Sequence, residues 1–182
     1  MLKRCCIAVL VSMSVVNAWA DVEKNAVACK EKLCFYWWPK LVAIKGWHQD
    51  REQSFAISAN AQAPDGFTFA NADAVIYAKA EHKPKIPEIR SVSERIVDDK
   101  KTFQKSDPTL QISEAAALQT ADGQKLRSFS FFPKEHGNWE LVSYGEEGEF
   151  YLIFSLSART LVGYENALST YKQFISSYKE KP

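Results

Sequence analysis

At 182 residues, with 25% charged and 46% hydrophobic side chains, the chain is long enough for one domain with a sizeable core. Its formal net charge of +1 and the absence of any basic cluster argue against nucleic acid or an anionic membrane surface as partner. No repeat, low-complexity tract or Gly/Ser linker divides it.

Lys3 and Arg4, the apolar stretch Cys5 to Val16 and the sequence Ala18-Trp19-Ala20 have the layout of a secretory signal peptide cleaved after Ala20. The apolar run is roughly a dozen residues, short of the ~20 that span a bilayer. The expected mature chain begins at Asp21 and works outside the cytoplasm, in the periplasm, with secretion to the medium as the alternative. Without Lys3 and Arg4 it carries 21 basic against 22 acidic side chains. Cys5 and Cys6 leave with the leader, and Asp21 stands where lipoprotein processing would need a cysteine, so no stable membrane anchor is expected.

The mature chain keeps Cys29 and Cys34, an even pair in an oxidising setting, for which a disulfide is the default. Residues five apart in a continuous helix have Cα atoms roughly 8.5 Å apart. A disulfide wants less than about 7 Å, so the bond requires a turn or a helix end between them. A redox dithiol usually has two intervening residues, and a metal site needs more ligands.

Residues 21–46 read as a lead-in: helical or irregular to Cys34, then extended and aromatic from Phe35 to Ala43, interrupted by Pro39. Residues 47–182 form the main domain. Gln53 to Ala59 alternates weakly, Ala63-Pro64-Asp65-Gly66 is a turn, and Ala72 to Ala80 is a small-residue strand. After Pro84 and Pro87, the apolar positions Ile89, Val92, Ile96 and Phe103 predict a helix over Glu88 to Lys105. Asp98, Asp99, Lys100 and Lys101 fall mostly off that stripe and should be solvated. Two hairpins follow. Leu110–Thr120 and Lys125–Phe132 flank Asp122-Gly123, while Trp139–Tyr144 and Phe150–Ser157 flank Gly145-Glu146-Glu147-Gly148. Phe150 to Phe154 is apolar on both faces and must be covered on both sides. Leu161, Tyr164, Leu168, Tyr171, Ile175 and Tyr178 then mark the apolar stripe of a closing helix. The order predicts the α+β class: an antiparallel β-sheet covered by helices, in a single domain.

The stretch Ala72 to Ala80, a helix, two hairpins and a Tyr/Phe-rich helix ending Phe174-Ile175-Ser176-Ser177-Tyr178 resemble the Mog1/PsbP-like fold, an α-β-α sandwich. That group also looks like the home of small bacterial envelope proteins of the DcrB type. The resemblance covers roughly Trp47 to Lys179 and implies a binding or accessory role. None of the group's functional residues can be matched here, so it supplies no site.

Chemistry is sparse. His48, His82 and His136 form no metal-ligand spacing and read as surface or structural residues. Ser176-Ser177-Tyr178-Lys179 has an SxxK spacing but sits at a helix end with no KTG partner downstream, and no GxSxG elbow occurs. Glu146, Glu147 and Glu149, like Asp98 and Asp99, read as solvated acids. No cofactor or metal is expected.

The most unusual feature is Phe35-Tyr36-Trp37-Trp38-Pro39. Successive side chains on an extended segment alternate, so one pair, Phe35/Trp37 or Tyr36/Trp38, should point inward and the other should meet a second surface. Tyr36, Trp37 and Trp38, joined by Trp47 and Trp139, are the candidate binding surface. The expected function is that of an exported, non-catalytic envelope protein binding a small ligand or a protein partner. An inhibitor or immunity-type protein against a secreted enzyme is the alternative, and an enzyme with a scattered active site the third reading.

Overall fold

The computed structural model describes residues 22–30, 32–135 and 137–179. The expected signal peptide and His136 lie outside them. The described residues form two sheets: a hairpin of β1 (Val22–Cys29) and β2 (Lys32–Pro39), and a seven-stranded antiparallel sheet. The large sheet runs β3 (Trp47–Gln49), β4 (Asn60–Pro64), β5 (Ala74–His82), β9 (Phe150–Ala158), β8 (Trp139–Glu147), β7 (Lys125–Phe132), β6 (Gln111–Gln119). Helices α1 (Arg51–Ile57), α2 (Val92–Ser106) and α3 (Leu161–Ser177) complete the α+β domain. No described helix is long and apolar enough to cross a membrane.

Strand β9 lies at the centre, paired with β5 and β8, and its two apolar faces are both used. Leu152, Phe154 and Leu156 face α3, whose stripe Tyr164, Ala167, Tyr171, Phe174 and Ile175 packs on them. On the opposite face Ile153 joins Phe129, Phe131, Val142 and Tyr144 under Ile96 of α2. Gly145 is required by close packing: a Cβ there would stand 2.4 Å from Leu126 Cδ2.

Several local expectations are corrected. The segment to Cys34 is a hairpin strand pair, not a helical or irregular lead-in, because Val22 to Cys29 pairs in full register with Pro39 to Lys32. Lys30 takes φ 54° in its tight turn, and the Cys29–Cys34 disulfide, with Cα atoms 5.7 Å apart, staples the two strands. Gln53 to Ala59 is largely the helix α1. Asp50 Oδ1 accepts from Gln53 N at 3.0 Å, and Ser58, left-handed at φ 54°, returns its N–H to Ser54 O. Caps at both ends outweigh so weak an alternation. Helix α2 starts at Val92, later than expected, because Ser91 Oγ accepts from Glu94 N while the Glu94 carboxylate accepts from Arg90 N. The second hairpin turns at Gly148-Glu149, with Glu147 paired to Phe150.

Two acids expected to be solvated are not. Asp99 has a side chain 15% exposed and pairs with Arg95 at 2.8 Å, and Arg95 also grips Glu81 of β5. That ion cluster fastens α2 to the sheet. Glu147 is buried and accepts from the Tyr178 hydroxyl. Both corrections have one cause: an element distant in sequence covers the acid.

Candidate functional site

Helix α2 covers only part of its sheet face. The rest, over β5, β9 and the start of β8, is left concave. There Val75, Tyr77 and Lys79 of β5, Ser157 of β9 and Glu140 of β8 line a cavity of about 490 Å³. Strand alternation puts them on one face: Val75 pairs with Ser157, and Ser157 with Glu140. Ile57 at the end of α1, Phe69 and Arg159 form the rim. Asp50 fixes two of these walls together, since its second oxygen accepts from Phe69 N at 2.9 Å. The Phe69 and Gln53 amides hold the Asp50 carboxyl below its usual range.

Glu140 is the chemically distinctive group. It is 9% exposed; Oε1 accepts from Ser157 Oγ at 2.9 Å, and Ser157 Oγ accepts from Asn138 Nδ2 at 3.0 Å. Its Oε2 is shut off from solvent and has no hydrogen-bond partner among the described residues. Burial pushes the carboxyl up to about 7; Ser157 opposes the shift and the charge of Asp99 adds to it. The same low-dielectric region raises Tyr77 by burial and then by the Glu140 charge, and raises Asp99 mainly by burial, despite Arg95.

A second hollow of about 340 Å³ adjoins this cavity and shares Ile57 and Lys79 with it. Its wall is the disulfide-stapled hairpin. Strand β4 pairs only Ile76 to Ala78 of β5, and β2 packs beside the remainder. Tyr36 and Trp37 line this hollow opposite His82 and Lys85. Trp37 stacks on His82 at 6.1 Å with an interplanar angle of 10°, and Lys85 Nζ stands 4.4 Å from its ring centroid.

The five aromatic candidates therefore divide. Tyr36/Trp38 is the inward pair, both rings set edge-on against Phe55 of α1. Trp38 is fully buried and donates Nε1–H to Glu23 at 2.6 Å, so it belongs to the core. Trp37 meets the second surface and Phe35 is half-exposed. Trp47 and Trp139 do not join this wall, because their strands aim them at the opposite face. Trp47 packs on Phe174 of α3 and Trp139 on Phe132. His82 lies between Trp37 and Phe150, whereas His48 stays exposed beside Asp65. Among the described residues no cluster of three His, Cys, Asp or Glu could hold a metal. Sequence reasoning missed Glu140 and Lys79. The available signal for Glu140 was a lone charge inside the apolar strand Trp139–Tyr144.

No protein family and no curated protein matches the chain. Among solved structures it is similar to the crystal structure of PA94, a protein of unknown function from Pseudomonas aeruginosa. Identity is 9% and the TM-score 0.44, over 87% of this chain and 98% of that one. A likeness at that level defines neither family nor function.

Proposed function

We propose that this is an exported, non-catalytic binding protein of the bacterial envelope that holds a small ligand in the groove beside the aromatic hairpin, on the part of the sheet face that α2 leaves uncovered. The observation that carries the reading is the pair of adjoining hollows, about 490 and 340 Å³, sharing Ile57 and Lys79. Volumes in this range, an apolar wall and a few converging polar groups are the ordinary make-up of small-molecule sites. The Cys29–Cys34 disulfide supports an oxidising compartment, in keeping with the expected leader and the periplasm.

The inhibitor or immunity-type reading has one observation in its favour. Leu33 and Phe35 stand 62% and 45% exposed on the hairpin, where a protein partner would cover them.

The test is to purify the protein from periplasm with its own leader, denature it, and identify released small molecules by mass spectrometry. Ile57→Trp, which fills the junction of the two hollows, is the control. A stoichiometric compound present in the wild type and lost in the variant supports a groove ligand. No compound, with a specific protein co-purifying equally with both forms, would overturn the reading in favour of the hairpin surface.

A further inference from the structure

We propose that the larger hollow takes a small hydroxy-carboxylate, a sugar acid in chemical class, with Glu140 receiving a ligand hydroxyl and Lys79 and Arg159 receiving its carboxylate. This rests on the groove reading above and names what the groove selects.

The floor and the rim have different polarities. At the floor, Glu140 has one oxygen engaged by Ser157 and one without a partner. A buried oxygen left unmatched costs roughly 1–3 kcal/mol, so a donor arriving there recovers an existing deficit. The terminal torsion of a glutamate is soft, and the carboxyl can turn its Oε2 toward a group in the cavity it lines.

The donor that fits is a hydroxyl. An ammonium brings three donors and needs three acceptors. Among the lining residues Glu140 Oε2 is the buried oxygen left without a partner, since Glu140 Oε1 and Ser157 Oγ already serve each other and Asn138. Burial also keeps Glu140 protonated up to about neutral pH, when it can both donate and accept, as a hydroxyl partner does. A neutral acid gives a buried ammonium no counter-charge.

The rim supplies the opposite requirement. Lys79 and Arg159 line the same hollow, and neither forms an ion pair among the described residues. Arg159 is held in place by donating to the Ala70 carbonyl. Asp73, also at the rim, has its Oδ2 engaged by the Thr160 hydroxyl at 2.7 Å at the start of α3. The rim thus sets two cations against one carboxylate and keeps a net positive charge for an anion, while Ile57, Phe69 and Val75 give the carbon skeleton an apolar wall.

The probes are D-glucuronate, which carries both groups, D-glucose, which lacks the carboxylate, and acetate, which lacks the hydroxyls. Backbone amide NMR shifts of the 15N-labelled mature protein are followed in titrations with each. The expected result is saturable D-glucuronate shifts at Val75, Tyr77, Glu140 and Ser157, with glucose and acetate each about tenfold weaker or more. Glu140→Ala and, independently, the rim variant Lys79→Gln should each weaken D-glucuronate by about tenfold. Lys79 is not in the core, so the second variant keeps the test valid if the first fails to fold. Absence of saturable cavity shifts, or equal binding of all three probes, overturns the assignment. Shifts confined to Tyr36, Trp37 and His82 and unchanged in Glu140→Ala also overturn it, while leaving a groove-binding protein in place.

Discussion

Replacing Glu140 with Gln should change how stability depends on pH. In the unfolded chain the carboxyl titrates near 4.5, and in the folded protein burial raises it to about 7. Between those values the folded state holds a proton that the unfolded state has lost, so wild-type stability falls as pH rises through the window. Each pKa unit is about 1.4 kcal/mol, which places the full cost of an ionised Glu140 at roughly 3 kcal/mol above pH 7. Gln does not titrate. Its carbonyl can still accept from Ser157, and its amide donors replace an oxygen that is unpartnered in any case. Wild type and Glu140→Gln should therefore be nearly equal in stability at pH 5, with the variant about 2–3 kcal/mol more stable at pH 8. Asp99 is also raised and slopes the same way in both proteins, so the difference between them reports Glu140 together with its coupling to Asp99. Urea unfolding monitored by circular dichroism across that range measures it. A difference that stays constant with pH, or one that favours wild type at pH 8, would refute the reasoning.

Other consequences of the packing are as direct. Trp38→Ala should cost about 3–5 kcal/mol because it empties a fully buried site and strands Glu23, whereas Trp37→Ala should cost clearly less. Thermal unfolding of the two single variants separates them. Arg95→Met leaves Asp99 and Glu81 without their cation and should lose about 3–5 kcal/mol by urea unfolding. Asp99→Asn in that background should restore part of the loss. Cys29→Ala/Cys34→Ala closes no loop in the unfolded chain and should lose about 2 kcal/mol. Hydrogen exchange should show that loss first in the amides of β1 and β2.

What the sequence made legible follows from how local the signals are. Asp122-Gly123 placed the first hairpin turn, the two-sided apolarity of Phe150 to Phe154 called for cover on both faces of β9, and the stripe through Tyr164, Tyr171 and Ile175 gave α3 its face. These depend on periods of two and 3.6 that need no partner to be read. Helix α1 was missed because its caps, Asp50 and Ser58, say more than its seven-residue pattern does. The aromatic run was legible as two opposed pairs, but not which element each would meet: Phe55 for Tyr36 and Trp38, His82 for Trp37. Trp47 and Trp139 could not be assigned a face without the sheet order. Asp99 and Glu140 show the same limit in the site. An acid is solvated or buried according to what another part of the chain lays over it, and the Asp98-Asp99 pair looks alike in either case.

The most direct test of a ligand groove on the α2-bearing face is amide hydrogen exchange on the chain produced from Asp21 onward, with and without the dialysable small-molecule fraction of periplasmic extract. Binding there predicts added protection concentrated in β5, in the Trp139–Tyr144 part of β8 and in β2 beside Lys79. Unchanged exchange in those segments, or protection confined to the opposite face around Trp47 and α3, would contradict it.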